Sequence, residues 1–458
     1  MEKTVRIVGA GLAGSEAALQ LASRGIRVEL VEMRPVVPTA VHKTDRCGEL
    51  VCSNSLKSTK PESAAGMLKL ELDKLGSYLY SAALETSVAA GGALAVDRDA
   101  FSAAITNMVE CNPLIELKRC EITTVEQAAE GVDALVLATG PLTSDALSES
   151  LVGLTGSEHL AFYDAAAPIV TADSLDVGKV FRQSRYEQAD EAAPGDYLNA
   201  PFDRDEYEAF IDALLDADRV IAREFESKDL FQACQPIEEI ARAGRDAPRF
   251  GPLKPVGLTD PRTGRRPWAA LQLRAEDADG SCYNLVGFQT NLKFPEQKRV
   301  FSMIPGLENA EFVRYGVMHR NTFIDAPHLL DRSLRLICPH AVELPVPVYV
   351  AGQLSGTEGY CEAIRSGLHV ALSVAAYLRD VKLPTLPRAC AFGALVAHAT
   401  DEGTVNYQPM HVNFGIMEPL DPPVRNKGQR YAAYARRGAE ALDVYCGQLA
   451  AAGLLNEA

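Results

Sequence analysis

The chain has 458 residues and a formal net charge of −16, with 47% hydrophobic and 23% charged residues. This composition is ordinary for a globular protein, and the length allows two or three domains with large cores. No stretch is apolar for long enough to cross a bilayer, and the acidic Glu2 stands where a secretory signal would be basic, so we expect a cytoplasmic protein without a membrane partner. The ten cysteines form no Cys-x-x-Cys pair, which argues against a metal site and against a disulfide framework.

The first 32 residues predict a dinucleotide-binding βαβ unit. A buried strand at 4–8 leads into a Gly-x-Gly-x-x-Gly turn, followed by a helix at 15–24 and a strand at 27–31. The three glycines of the turn allow the tight bend, the approach of backbone N–H groups to a pyrophosphate and close helix packing. The helix N-terminus favours phosphate, and the acid after the second strand can accept a hydrogen bond from a ribose hydroxyl. The predicted cofactor-binding residues here are Gly9, Ala10, Gly11, Leu12, Ala13, Gly14, Glu32, Met33 and Arg34.

Two later segments return the chain to the same sheet. Residues 133–140 form a strand-to-turn signal, and a strand at 348–352 precedes a glycine turn and a helix at 363–377. The second segment is similar to the closing strand and helix of flavoproteins, where a helix N-terminus faces the flavin. We expect cofactor contacts there from Gly352, Gln353, Gly356, Glu358 and Gly359. The predicted fold is therefore α/β, with a Rossmann-like, doubly wound FAD-binding domain built from both chain ends, 1–165 and 327–458, and an inserted α+β domain at 166–326.

The predicted insertion mixes short strands at 169–171, 269–273 and 284–287 with an amphipathic helix near 207–215. Proline and glycine are dense from 248 to 267, which predicts a long loop. The sequence has no second Gly-x-Gly-x-x-Gly motif. A nicotinamide cofactor would therefore have no Rossmann domain of its own and would visit the flavin only transiently.

Two cysteines stand out from the rest. Cys52 lies among small polar residues just after the βαβ unit, where backbone turns and hydroxyls can stabilise a thiolate. Cys234 lies two residues before Pro236 and is followed by a basic stretch at 242–254, which would lower the thiol pKa and attract phosphate. From the residues alone, a buried and inert thiol remains open for both.

Basic residues cluster locally although the net charge disfavours a nucleic-acid partner. Clusters occur at 242–254, 262–266, 293–299 and 425–437. The loops at 289–300 and 314–322 alternate polar, aromatic and basic residues, and the second contains His319. Loops of this type often line sites, but a solvated surface and a purely structural histidine remain open.

Long motifs in one order make the chain similar to the folate- and FAD-dependent tRNA uracil-5-methyltransferases (methylenetetrahydrofolate–tRNA-(uracil-5-)-methyltransferases). The resemblance covers nearly the whole length and rests on residues 9–18, 31–35, 49–56, 250–258, 286–293, 314–322, 358–362 and 408–415. The chain departs from the usual family pattern at His42, Cys47, Gly48, Gln235 and Cys361. These departures concern substrate contacts more than the chemistry.

The resemblance implies a reaction and a set of roles. The methylene of 5,10-methylenetetrahydrofolate would be transferred to C5 of a flipped-out uridine in tRNA, expected at position 54 of the T-loop, and reduced to methyl by FAD that NADPH or NADH re-reduces. Cys234 is assigned as the nucleophile at C6, Cys52 as the acid/base and His319 as the residue that stacks on the folate pterin, and the reverse assignment of the cysteines stays open. The predicted RNA-binding residues are Arg242, Arg245, Lys254, Arg265, Lys293 and Arg320.

Three other functions stay open at this point. The same methylation could act on ribosomal RNA. The related FAD- and folate-dependent modification of wobble uridines is disfavoured because those enzymes are usually longer, with an extra helical C-terminal domain and a GTPase partner. A non-catalytic FAD-binding redox sensor would leave the two cysteine motifs and the basic loops without a purpose. The oligomeric state, a monomer included, is not predicted.

Overall fold

The structure, a computed structural model, describes residues 3–39, 41–156, 160–185, 196–220, 235–337, 344–404 and 407–455. The side chains of residues 160–164, 319 and 320 fall outside this description. The described part contains strands and helices in the alternating order of an α/β chain, interrupted by a run of antiparallel strands. None of the described helices has the length and apolar character to cross a membrane.

The strands are β1 (Thr4–Val8), β2 (Arg27–Glu32), β3 (Ser55–Ser58), β4 (Ser87–Val88), β5 (Ala93–Val96), β6 (Ile115–Arg119), β7 (Ala134–Leu137), β8 (Leu160–Ala165), β9 (Ile169–Thr171), β10 (Phe181–Arg182), β11 (Tyr197–Phe202), β12 (Ala269–Ala275), β13 (Cys282–Leu285), β14 (Phe312–Arg314), β15 (Met318–Phe323) and β16 (Val348–Val350). The α-helices are α1 (Leu12–Ala22), α2 (Ala64–Lys74), α3 (Tyr78–Glu85), α4 (Arg98–Glu110), α5 (Val125–Ala129), α6 (Asp145–Thr155), α7 (Arg204–Asp216), α8 (Ile237–Ala243), α9 (Ala247–Phe250), α10 (Phe294–Phe301), α11 (Ala326–Leu329), α12 (Tyr360–Leu378), α13 (Ala391–Ala399) and α14 (Lys427–Ala451). Short 3-10 helices lie at Gly140–Leu142, Ala172–Ser174 and Gly352–Ser355.

A five-stranded parallel sheet in the order β16-β7-β1-β2-β6 forms the centre of the first domain. β1 pairs with β2 on one side and with β7 on the other, so that Val8 lies opposite both Val31 and Leu137. β16, from the later part of the chain, joins the outer side of β7. Both chain ends therefore build one sheet, which confirms the predicted Rossmann-like α/β fold.

Helices cover this sheet closely because small residues stand where they meet. Gly367 of α12 packs against α1, and a Cβ built on it would lie 2.1 Å from the Ala13 carbonyl oxygen. The central strands are almost wholly apolar, and residues such as Ile7, Leu30 and Val136 have no solvent exposure. Continuous apolar strands are typical of a parallel sheet with helices on both faces.

The insertion contains an antiparallel sheet in the order β10-β11-β12-β13-β9-β14. Its core is aromatic, with Phe210 and Phe288 stacked at 6.1 Å and Phe301 edge-on to Phe288 at 5.4 Å. A capping box formed by Asp203 and Glu206 starts α7, which packs on this core through Phe210 and Leu214. Antiparallel strands with their own helices form the predicted α+β insertion.

The two domains meet around the loop that follows residue 49. The Asn54 side chain donates to the carbonyl of Val96 (3.0 Å) in the first domain and to that of Ala275 (2.9 Å) in the insertion. Arg274 donates back to the Asn54 amide oxygen at 2.7 Å. The strand pair β8–β15 lies close to the predicted domain boundaries at residues 165 and 326, which stay predictions.

Candidate active site

A cavity of about 390 Å³ lies at the carboxyl ends of β1, β2, β7 and β16. This edge of a parallel sheet is where α/β proteins bind ligands. The structure brings together in its wall the predicted residues Gly9, Gly11, Leu12, Ala13, Glu32, Met33, Arg34, Gly352, Gln353, Glu358 and Gly359. Three other predicted cofactor residues, Ala10, Gly14 and Gly356, are not among the residues that line the cavity.

The glycines of the first turn have different surroundings. A Cβ on Gly14 would lie 1.8 Å from the Gly9 carbonyl oxygen, so this glycine permits the contact between α1 and the turn. A Cβ on Gly11 would meet nothing within 4 Å, so Gly11 leaves open space in the cavity wall. Gly11 is also the N-cap of α1 and offers no side-chain cap, which leaves the first N–H groups of the helix for a ligand.

Gly356 has a structural surrounding of its own. Its φ is +81°, and a Cβ there would lie 1.8 Å from the Tyr407 hydroxyl. The turn therefore needs glycine for close packing, a reason that the sequence pattern does not reveal. Gly359, three residues later, lies in the cavity wall and is the N-cap of α12, again without a side-chain cap.

Glu32 is buried in a hydrogen-bonded network at the end of β2. One carboxylate oxygen accepts the Ala10 N–H at 2.9 Å, and the other accepts the Arg34 side chain at 2.8 Å. Arg34 also pairs with Glu49 at 3.2 Å. Burial alone would raise the pKa of Glu32, but the hydrogen bonds and charge of Arg34 outweigh burial and lower it. The carboxylate is therefore held ionised and ready to accept hydrogen bonds.

Other polar groups in the cavity wall have bonding capacity to spare. Neither the Gln353 Nε2 nor the second Glu362 carboxylate oxygen has a hydrogen-bond partner among the described residues, although both are buried. Buried polar atoms normally find partners. Together with two uncapped helix N-termini and the open space at Gly11, these atoms fit a bound FAD.

Cys52 is half-buried and lies in the wall of the same cavity. Its thiol sulfur is 3.8 Å from the Ala165 carbonyl oxygen. The backbone N–H groups of Cys52 and Ser53 donate to the Tyr360 hydroxyl at 2.9 and 3.1 Å. Burial, followed by the electrostatic interaction with Cys52, raises the pKa of Tyr360, so its phenol stays neutral.

Two guanidinium groups hold the carbonyls of the Cys52 loop. Arg98 donates to the carbonyls of Leu50 (2.6 Å) and Cys52 (3.2 Å), and Arg314 donates to that of Val51 (2.5 Å). Glu276 forms an ion pair with Arg98. Burial would lower the pKa of Arg98, but Glu276 raises it above its ordinary value, whereas burial lowers the pKa of Arg314. Both bases remain cationic beside the thiol.

Sequence reasoning did not single out Tyr360, Arg98 or Arg314 as functional residues. Tyr360 and Arg314 each lie in a motif that carries the family resemblance, so these motifs could have marked both residues as functional candidates. Arg98 starts α4 after the Asp97 cap and has no such signal. Its position next to Cys52 depends on folding across 46 residues.

Cys234 lies outside the described residues. Three residues later, Ile237 starts α8 and donates its N–H to the Gln289 carbonyl at 2.8 Å, and Gln289 lies in the cavity wall. The backbone of His319 belongs to β15 and follows Met318, which pairs with Ala165 next to the Cys52 thiol. The His319 side chain is not among those described.

The predicted RNA-binding residues divide into two groups. Three are paired with acids: Arg245 with Asp212 (2.6 Å), Lys293 with Asp218 (3.0 Å) and Arg242 with Glu239 (3.7 Å). Lys254 and Arg265 lie together in the wall of a second cleft in the insertion. The side chain of Arg320 falls outside the description.

The chain is similar to known proteins over nearly its whole length. The family described as Glucose inhibited division protein A matches residues 4–382. Methylenetetrahydrofolate–tRNA-(uracil-5-)-methyltransferase TrmFO of Desulforamulus reducens is 51% identical over 441 residues, which are 96% of this chain and 97% of the relative. The protein of the same name from Geobacter sulfurreducens is 53% identical over 430 residues, 94% of this chain and 96% of the relative.

Solved structures of Aquifex aeolicus GidA in two crystal forms show the same fold. Their TM-scores are 0.69 and 0.70 at 16% and 17% sequence identity, and the match covers 100% of this chain and 74% and 77% of theirs. Identity at this level speaks for the fold alone. The family is assigned from the relatives that share about half of their residues with this chain over nearly its full length. The chain belongs to the methylenetetrahydrofolate–tRNA-(uracil-5-)-methyltransferase family.

Proposed function

We propose that the protein methylates C5 of a uridine in tRNA, expected at position 54 of the T-loop, with 5,10-methylenetetrahydrofolate as the carbon source. The observation that carries this proposal is that Cys52 lies in the wall of the same cavity as the glycine turn. The reaction needs this combination, because uracil C5 must first become nucleophilic and the transferred methylene must then gain two electrons. The names of the relatives support the same reaction.

The cavity residues would hold FAD in a defined order. The uncapped N-terminus of α1 would bind the pyrophosphate, Glu32 would accept a ribose hydroxyl, and the N-terminus of α12 would lie beside the flavin. When bound and reduced, FAD supplies the hydride that completes the methyl group. We include NADPH or NADH as the source of its electrons because the family resemblance implies it. The sequence has no second nucleotide-binding glycine motif, so the nicotinamide would visit the flavin only transiently.

The two cysteines would divide the work on the uracil ring. A thiolate adds to C6, which makes C5 a carbanion that attacks the folate methylene, and a base then removes the C5 proton as tetrahydrofolate leaves. Hydride addition to the resulting exocyclic methylene would then expel the thiolate from C6 and release the methylated uridine. We assign the addition to Cys234 and the proton transfer to Cys52. The position of Cys52 supports its role, because its loop is held by Tyr360, Arg98 and Arg314 and lies against the cavity.

The contact between Ile237 and Gln289 supports the nucleophile assignment, because it ties the chain just after Cys234 to the cavity wall. Cys234→Ala should give no covalent adduct with RNA that contains 5-fluorouracil, while FAD absorbance is retained. Cys111→Ala, at an exposed cysteine, is the matched control and should form the adduct normally. Adduct at wild-type yield in Cys234→Ala would reject the assignment.

We assign His319 to the folate pterin, because the pairing of Met318 with Ala165 puts its backbone beside the Cys52 thiol. His319→Ala should raise the KM for methylenetetrahydrofolate, whereas the exposed His328→Ala should not. An unchanged KM in both variants would remove His319 from the folate site.

The overall reaction is tested with labelled methylenetetrahydrofolate, FAD and NADPH added to total RNA, followed by mapping of the labelled nucleotide. Label at C5 of a T-loop uridine in tRNA is the expected result, and in cells we expect it in the cytoplasm. Label in ribosomal RNA or at a wobble uridine would replace the proposed substrate. No label in any RNA, with a flavin that NADPH still bleaches, would favour a redox sensor.

A further inference from the structure

The insertion contains a second cavity, of about 1,010 Å³, away from the flavin site. It lies between the end of β11, the start of α7 and the segment from α9 to Trp268. Six cationic and three acidic residues line it, although the whole chain is strongly acidic. The cations are Arg204, Arg249, Lys254, Arg262, Arg265 and Arg266. An anionic ligand is therefore favoured locally.

Two of the six cations, Arg265 and Arg266, have no acidic partner among the described residues. Arg262, by contrast, is paired with Asp260 through two side-chain hydrogen bonds, at 2.9 and 3.1 Å. Arg265 and Arg266 are exposed, and in the described part of the chain neither side chain forms an ion pair or hydrogen bond. Free guanidinium groups bind phosphate oxygens in a bidentate manner, which suits a nucleic-acid backbone.

An aromatic ring stands uncovered beside these cations. Phe250, at the end of α9, is 80% exposed. By contrast, the Arg249 guanidinium lies 3.5 Å from the centre of the Trp268 ring and covers it. Exposed aromatic rings next to cations are the combination that binds unpaired nucleotides, because a base stacks on the ring while its phosphates meet the charges.

β12 runs from this cleft to the loop that carries the Cys52 thiol. The strand begins at Ala269, next to Trp268 in the cleft, and ends at Ala275, whose carbonyl accepts the Asn54 amide in the Cys52 loop. At about 3.3 Å per residue, this strand spans about 20 Å. The cleft is therefore too far from the cavity to hold the uridine that reacts, or a nicotinamide that passes hydride to the flavin.

We propose that this cleft binds a second, unpaired nucleotide of the RNA substrate about 20 Å from the reacting uridine, with its base on Phe250 and its flanking phosphates on Arg265 and Arg266. The inference rests on the proposed function, because it takes RNA as the substrate. It adds a recognition site that selects RNA by shape, since the cleft requires an unpaired base at a fixed distance from the target.

The chain has a single tryptophan, and Trp268 borders the cleft, so its fluorescence reports on the occupied site. Titration of the FAD-loaded protein with a tRNA transcript, excited at a wavelength where RNA absorbs little, should change this emission. Phe250→Ala should weaken tRNA binding at least fivefold. The double variant Arg265→Ala/Arg266→Ala should also weaken tRNA binding and reduce the dependence of that binding on salt concentration. Arg335→Ala, at an exposed arginine outside the insertion and outside the basic clusters, should bind like wild type.

Methylation kinetics separate this inference from the proposed function. Phe250→Ala should raise the KM for tRNA and leave kcat unchanged, and it should leave the KM for a short hairpin with the target loop at the wild-type value. If Phe250→Ala does not fold, Phe250→Leu keeps the apolar bulk and removes the stacking face. Wild-type protein that methylates no RNA would contradict the proposed function. Wild-type protein that methylates tRNA, with cleft variants of unchanged tRNA affinity and KM, would overturn the cleft alone.

Discussion

Removal of one hydroxyl tests how far the geometry of the Cys52 loop controls the reaction. The Tyr360 hydroxyl accepts the N–H groups of Cys52 and Ser53 at 2.9 and 3.1 Å. Tyr360→Phe keeps the ring and deletes the single oxygen that accepts both hydrogen bonds. Two neutral hydrogen bonds of this kind are worth about 1–3 kcal/mol together, which corresponds to about 5-fold to 150-fold in rate if the loop must keep its position in the transition state.

The assay is methyl transfer from labelled methylenetetrahydrofolate to tRNA under saturating conditions. We expect kcat to fall within this range, while FAD content and the rate of flavin reduction by NADPH without RNA stay at wild-type values. Tyr445→Phe is the matched control, because that hydroxyl is buried and has no hydrogen-bond partner among the described residues. A kcat within twofold of wild type in Tyr360→Phe would refute the role of the hydroxyl.

Three further predictions concern the cofactor, pH and salt. Gly14→Ala should lower the melting temperature because its Cβ would overlap the Gly9 carbonyl. Gly11→Ala should fold normally but lose FAD absorbance at 450 nm, because its Cβ would enter open space in the cavity wall. The reverse pattern would contradict the assigned packing. Burial raises the pKa of Glu238 from 4.5 to about 7, so its contribution to stability should fall by about 3 kcal/mol between pH 4.5 and 7. Urea unfolding at pH 5 and pH 8 should show this fall in the free energy of unfolding for wild type but not for Glu238→Gln. The same pH dependence in both proteins would reject the assignment to Glu238. Wild-type binding to tRNA should weaken at least tenfold between 50 and 200 mM salt, and a flat response would exclude phosphate contacts.

The βαβ unit could be predicted from sequence because its signals are local. The strand at 4–8, the turn and the acid at the end of β2 depend on neighbours a few residues away, and the structure has each of them where periodicity predicts it. The insertion was also recognisable, because the strand at 169–171 and the helix near 207–215 follow the same local rules. Local hydrogen bonding and side-chain period determine such elements.

The surroundings of the thiol could not be predicted in the same way. Arg314 contacts the Val51 carbonyl across 263 residues, and Tyr360 contacts the Cys52 N–H across 308. The ion-pair partners of the predicted RNA-binding residues were equally hidden in the sequence, because Lys293 is paired with Asp218, 75 residues earlier in the chain. A cluster of bases in sequence does not show which of them already has an acidic partner in the fold.

The Cys52 loop joins three separate parts of the chain. Arg98 comes from the first part of the nucleotide-binding domain, Arg314 from the insertion and Tyr360 from the second part of that domain. No one of these parts can hold the loop alone, because each satisfies different backbone groups. The loop that carries the thiol therefore takes its final position only when the insertion is docked on the completed sheet.

The same docking sets the position of the second cleft. β12 is paired with β11 from Ala269 to Arg274 and with β13 from Leu273 to Ala275, so it cannot easily bend between Ala269 and Ala275. Its far end is fixed to Asn54 by the Ala275 carbonyl and, through Arg274, by the Asn54 amide oxygen. A rigid strand between thiol and cleft makes their separation a property of the fold, so that an RNA must match this distance to contact both sites at once.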